Sequence, residues 1–182
     1  MLALIAIWAL AEATLFFVVA DVPIMALGIR SGVKKALIGA GVAAVFAALG
    51  GLALAHYAQL WPKDAYAAMI AVPAINEDLI LRVIDDWDAR GTMGMTIGSF
   101  SGVPYKLYAY AAGASAPQSP LWFGWFFFAS ILARLPRFLL VALVSGWAGP
   151  RLAARFGARA IWAAFVLAWA IFYAIYWSVM GF

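Results

Sequence analysis

The sequence predicts an all-α integral membrane protein built from two inverted repeats. Each repeat is a re-entrant hairpin followed by a spanning helix. An interfacial amphipathic helix joins them, and a last spanning helix closes the chain. Three observations predict this. Of 182 residues, 68% are hydrophobic and 11% charged, with a mean hydropathy of +0.98, where a soluble domain has roughly 45–50% and about 25%. Uncharged runs long enough to cross a bilayer, about 20 residues, alternate with apolar stretches broken by Gly and Pro. The charges also divide along the chain: all eight acids lie at or before Asp88, and Arg90, Lys106, Arg134, Arg137, Arg151, Arg155 and Arg159 follow with no acid among them.

The length fits one membrane domain over residues 1–182. The absence of cysteine excludes disulfides and thiolate metal sites. No basic region precedes the first apolar run, so no cleaved signal peptide is expected.

Residues 1–62 form the first repeat. The stretch 1–32 is apolar apart from Glu12, Asp21 and Arg30, with Pro23 two residues beyond Asp21. Two acids and a proline in this pattern suit a hairpin that breaks near Asp21–Pro23 and returns. Irregular backbone at membrane depth needs cover from protein or a water-filled cavity. The alternative is one kinked spanning helix with Glu12 near an interface. Arg30, Lys34 and Lys35 make a short basic loop. The spanning helix 36–62 carries Gly39, Gly41, Gly50 and Gly51, small residues that let helices approach closely. The single histidine, His56, reads as a hydrogen-bonded structural residue rather than a ligand or proton relay.

Residues 63–91 are the polar connector. Asn76 is a good helix cap, with Glu77 and Asp78 in the first turn. Ile75, Leu79, Ile80, Val83, Ile84 and Trp87 recur at helical spacing. The predicted helix 76–90 therefore lies on the membrane surface. Asp85, Asp86 and Asp88 read as its solvated face, because their spacing matches no cation-binding loop.

Residues 92–149 form the second repeat. The hairpin 92–116 is broken by Gly94, Gly98, Gly102 and Pro104 and carries Lys106. The spanning helix 121–147 holds Arg134 and Arg137 near its middle, at i and i+3 on one face. An arginine at such a depth costs about 2.5–3.5 kcal/mol on insertion scales, so the two mark a candidate site. Pro136 between them donates no backbone hydrogen bond and frees the carbonyl of Leu132, which predicts a kink. Arg151, Arg155 and Arg159 make a second basic loop, and 160–182 spans again. Both basic loops fall on the cytoplasmic side if the two hairpins enter from opposite faces. Two anchors, Val22-Pro23 with Val103-Pro104 and Gly32 with Gly113, stand 81 residues apart. Inverted repeats place a substrate site near the midplane, at the repeat interface.

The charges are then complementary. The first repeat supplies Glu12 and Asp21 for charge pairing or proton coupling, and the second supplies Lys106, Arg134 and Arg137. One positive charge is in surplus, which an anionic headgroup would satisfy; the arginine fork suits phosphate. The alternative is a set of ion pairs that only holds the fold.

These features resemble the DedA family, also called the SNARE-associated Golgi or VTT-domain family. The resemblance rests on Glu12 before Pro23, Gly39, Gly50 and His56-Tyr57, Val103-Pro104-Tyr105-Lys106 leading to Ala111-Ala112-Gly113, and Ser130 with Arg134 and Arg137-Phe138. It implies two inverted re-entrant hairpins, membrane-embedded acids and arginines, and proton-linked movement of undecaprenyl phosphate or phospholipid in a bacterial inner membrane. The chain departs from the family pattern in placing Asp21 before Pro23, and in carrying Ser101 and Lys106 where arginines usually flank the second hairpin's proline. This describes a divergent subgroup.

The expected function is therefore a flippase or scramblase for an anionic lipid headgroup. The partners are membrane lipids and protons, without nucleic acid, cofactor or metal, and homo-oligomerisation is left open. A proton-coupled exporter of a small solute or ion is the runner-up. An intramembrane enzyme is not expected: Gly113-Ala114-Ser115 resembles a serine-protease motif, but no histidine follows His56 to act as base. A purely structural adaptor would leave Arg134 and Arg137 unexplained.

Overall fold

A computed structural model describes residues 1–14 and 19–180. Every element in it is a helix: α1 (Leu2–Glu12), α2 (Asp21–Leu60), α3 (Pro62–Ile70), α4 (Glu77–Arg90), α5 (Thr92–Ser101), α6 (Tyr105–Ala114), α7 (Pro120–Phe156) and α8 (Ala158–Met180). Helices α2, α7 and α8 are each long and apolar enough to cross a bilayer. The chain is a helical membrane protein.

The long helix α2 is two limbs. At Gly32 the backbone leaves helical geometry, with φ 76° and ψ −178°, a positive φ that glycine adopts without steric cost. The chain folds back there: a side-chain atom of Leu27 stands 2.9 Å from where a Cβ on Gly39 would sit. The first limb covers residues 21–31 and the second 33–60. Helix α1 runs alongside the second limb in the same direction, with Ile5 beside Gly39 and Leu10 beside Gly50. Helix α7 runs against it, with Gly146 on Val33 at one end and Phe123 edge-to-face with His56 at the other. Helix α6 climbs with it, with Tyr105 against Gly51 and Gly113 against the backbone of Ala55. A file of buried alanines on the second limb, Ala36, Ala40, Ala43, Ala44 and Ala47, permits these close crossings. In lipid such packing replaces the hydrophobic effect as the force between helices.

Several sequence expectations change in detail. The first break does not fall at Asp21–Pro23. Those residues form the first turn of α2, where a proline's missing N–H has no helical acceptor to lose. The chain instead turns back between Glu12 and Asp21, and of that connection residues 15–18 lie outside the described residues. Lys34 and Lys35 are helical, not loop. Helix α7 runs well past residue 147, through Pro136 and Pro150, and takes Arg151 and Arg155 into its last turns, where cations favour the negative end of the helix dipole. Gly157, at φ +89°, then ends it. Gly94 and Gly98 do not break the second hairpin; they lie within α5, and the break falls only at Gly102, with φ 87°, and Pro104, which precedes the first residue of α6.

Asn76 caps α4 as predicted, its Oδ1 accepting from the Leu79 N–H at 2.8 Å. Asp86 is not on a solvated face. It accepts a 2.7 Å hydrogen bond from the Tyr108 hydroxyl and pairs with Arg90. This bond ties the polar connector to α6.

The antiparallel pairing of α2 with α7 sorts the charges along the bundle. Arg30, Lys34 and Lys35 flank Gly32, while Gly146 and Gly149 of α7 pack on Val33 and Ile29. Arg151 and Arg155 follow within two turns. All the cations of both predicted basic loops therefore gather at one end. Residues 63–90, which hold six of the eight acids against Lys63, Arg82 and Arg90, leave from the opposite end of α2.

Candidate functional site

Each of the two reversals that lie between short helices ends at the middle of α7. The first, between α1 and α2, brings Glu12 and Asp21. The second, Gly102 to Pro104 between α5 and α6, brings the N-terminal end of α6 with Tyr105 and Lys106. Arg134 and Arg137 of α7 meet both.

Two cross-chain ion pairs result. An Arg134 Nη donates to Glu12 Oε2 at 2.5 Å. Arg137 donates from Nε to Asp21 Oδ2 at 3.0 Å and from an Nη to the same oxygen. Its other Nη donates to the backbone carbonyl of Ser99, so Arg137 also holds α5. The Arg134 guanidinium lies between two rings, 4.9 Å from the centroid of Tyr105 and 4.7 Å from that of Phe138. A planar cation gains from both faces in such a sandwich. The two pairs differ in burial: the Arg134 side chain is 5% exposed and that of Arg137 28%.

A cavity of about 100 Å³ lies at this junction. Glu12, Tyr105, Lys106, Arg134 and Arg137 line it, with Pro104 at the second reversal. Lys106 is buried, and its charged neighbours are Glu12 and Arg134. Phe172 and Tyr176 of α8 form part of the wall. Tyr173, between them, accepts a 3.2 Å hydrogen bond from the Val19 N–H, so the last helix touches the first reversal.

Polar atoms remain unsatisfied here. Asp21 Oδ1, Tyr105 Oη, Ser130 Oγ and Arg134 Nε are buried without a hydrogen-bond partner among the described residues. Unsatisfied buried groups cost about 1–3 kcal/mol each, and two of these four residues, Tyr105 and Arg134, line the cavity, where water or a polar ligand could reach them. The N-terminus of α6 also opens at the cavity, where unpaired backbone N–H groups and the helix dipole favour negative charge. Three cations, two carboxylates and a helix N-terminus meet at this junction.

All five charged residues singled out in the sequence meet here. Pro104 lines the cavity at the second reversal; Pro23, in the first turn of α2 two residues beyond Asp21, does not line it. His56 does not belong to the site; it is exposed and packs on Phe123 far along α2. Sequence reasoning missed Tyr105, Ser130 and the α8 aromatics as site residues. Ser130, Arg134 and Phe138 at steps of four share one face of α7, a signal that was available. Phe172 and Tyr176 also stand four apart, but lipid-facing aromatics show the same spacing.

No family model matches the chain, and no solved structure matches it. An uncharacterised protein of Haemophilus influenzae (strain ATCC 51907 / DSM 11121 / KW20 / Rd) is 28% identical over 152 residues, covering 79% of this chain and 71% of the relative.

Proposed function

We propose that this protein is a transporter that moves an anionic lipid headgroup across the bacterial inner membrane, as a flippase or scramblase of the DedA type. One observation carries the reading. The acids of the first half pair with the arginines of the second around a cavity at mid-length of α7. Ionisable groups inside a membrane protein generally mark pathways for ions or substrates.

In this reading the helix pair α1 and 21–31 is a re-entrant hairpin entering from the basic, cytoplasmic end. The pair α5 and α6 is a second one entering from the other side. Each is followed by a long helix, and the two units are inverted repeats. The directions of α1, α6 and α7 against the second limb of α2 support this arrangement, as does the meeting of the two reversals. The positive-inside tendency agrees with all the basic-loop cations lying at one end.

The cavity has the volume of about three waters at ~30 Å³ each. It accommodates a phosphate but not a lipid chain, so the chain stays outside while the headgroup enters. Lys106, Arg134 and Arg137 bind the anion, and the N-terminus of α6 assists. Competition between the anion and Glu12 for Arg134 provides a coupling step: protonation of Glu12 releases the arginine to the ligand. The exporter of a small solute or ion remains the second reading, because a bare anion fits the same volume.

The test is reconstitution of the purified protein into vesicles. Movement of labelled undecaprenyl phosphate or phosphatidylglycerol between leaflets is followed with and without a pH gradient. The reading expects movement that Glu12→Gln and Arg134→Ala abolish. No movement of either lipid by folded wild-type protein sinks it in favour of the small-solute reading.

A further inference from the structure

A second anion-compatible feature lies at the basic end of the bundle. A groove of about 440 Å³ runs between α1 and the fold-back at Gly32. Leu2, Leu27 and Ile38 make its apolar wall, and Arg30, Ser31 and Lys35 its polar lip. The fold-back creates the lip: Arg30 lies two residues before Gly32 and Lys35 three after, so reversal brings them to one rim. Among the described residues, neither Arg30 nor Lys35 makes an ion pair or a side-chain hydrogen bond. Glu12 and Asp21, the acids nearest in sequence, are held by Arg134 and Arg137 elsewhere. This contrasts with the mid-bundle site, where each arginine has a carboxylate.

We propose that this groove seats an anionic glycerophospholipid of the surrounding leaflet. Its phosphate lies against Arg30, Ser31 and Lys35, and an acyl chain lies along Leu2, Leu27 and Ile38. Charge complementarity selects the occupant, because two cations without a protein counter-ion favour a headgroup with net negative charge over a zwitterion. The apolar wall selects a lipid over a free phosphate. Ile38 is 51% exposed on that wall, so a chain in the groove continues into the lipid around the bundle. The site does not depend on the transport reading, since a lipid held here need never move.

The full chain in detergent is mixed with equal amounts of phosphatidylglycerol and phosphatidylcholine, and bound lipid is counted by native mass spectrometry. The expected result is a one-to-one phosphatidylglycerol adduct that excess glycerol 3-phosphate does not displace. The R30Q/K35Q pair weakens it about thirtyfold, the loss expected for two cations at a membrane surface. The charge-keeping pair R30K/K35R retains it. R151Q/R155Q, which removes the same charge from the same end outside the groove, also retains it. Ile38→Gln, on the exposed wall, weakens it by about threefold to tenfold as chain contact is lost, independently of the cations. Equal loss in R30Q/K35Q and R151Q/R155Q would mean diffuse attraction and overturn the groove. Displacement by glycerol 3-phosphate would overturn the lipid in favour of a free anion. An equal count of both lipids, or an adduct unchanged in R30Q/K35Q or Ile38→Gln, also overturns the proposal.

Discussion

The two mid-bundle reversals reach the same place with opposite chemistry. The first, between α1 and α2, delivers two carboxylates. The second, between α5 and α6, delivers a lysine, a backbone carbonyl and a helix N-terminus. The carboxylates meet the arginines of α7, while Lys106 has Glu12 of the first reversal as its neighbour of opposite charge. Arg134 pairs with Glu12 of the first reversal and stacks on Tyr105 of the second, from a nearly dry position between two rings. Arg137 joins both by hydrogen bonds, through Asp21 and the Ser99 carbonyl, and keeps contact with solvent. The difference teaches that Arg134 is the more buried anchor and Arg137 the more exchangeable one.

Breaking the drier pair has the largest expected effect. Arg134→Ala leaves the part-buried Glu12 without its arginine, a loss of about 3 kcal/mol in stability. Thermal unfolding in detergent measures it. The double variant Glu12→Gln with Arg134→Met should recover most of the loss, because both charges leave together. Recovery of nothing would show that the guanidinium matters for packing between Tyr105 and Phe138 rather than for Glu12.

Arg137→Ala should cost less, about 2–3 kcal/mol, since the Arg137 side chain is 28% exposed and water can enter the space it leaves beside the buried Asp21. The same melting experiment ranks it below Arg134→Ala. The reverse order would break the comparison.

Gly51→Ala sharpens it from the packing side. A Cβ there meets the Tyr105 hydroxyl and ring, so the ring must shift from its place over Arg134. Overpacking of this kind costs about 1–3 kcal/mol. Anion-dependent stabilisation should fall with it, measured as the shift of the melting point on adding phosphatidylglycerol.

Tyr108→Phe removes the bond that holds Asp86 and α4 to the second reversal's outgoing helix. The expected loss is about 1 kcal/mol, with faster amide exchange across α4. Exchange confined to α4 would show that the connector is clasped at this one point. Smallest of all is Arg151→Gln, at an exposed helix end, expected within about 0.5 kcal/mol by the same melting assay.

Much of this arrangement was legible in the sequence. Charges at membrane depth are expensive, so Glu12, Asp21, Lys106, Arg134 and Arg137 stood out, and their partition between the two halves indicated that they would pair. Asn76 was legible because a cap has a local chemical signature. The position of the first break was not. Pro23 is compatible with either a break or the first turn of a helix, and only the packing of α1 on the second limb of α2 decides between them. The reach of α7 was hidden for a related reason. Hydropathy ends where Arg151 begins, but a helix does not: long cationic side chains extend to water from a continuing helix. The role of Asp86 was obscured by its neighbours, since three aspartates in four residues read as one solvated face until Tyr108 singles one out.

The two ion pairs have an electrical consequence. A transmembrane potential does about 2.3 kcal/mol of work per elementary charge per 100 mV. It acts equally and oppositely on the members of each pair, so moving Glu12 with Arg134, or Asp21 with Arg137, through the field as a unit requires no electrical work. Separating the members of either pair across the bundle would instead expose both charges to the field.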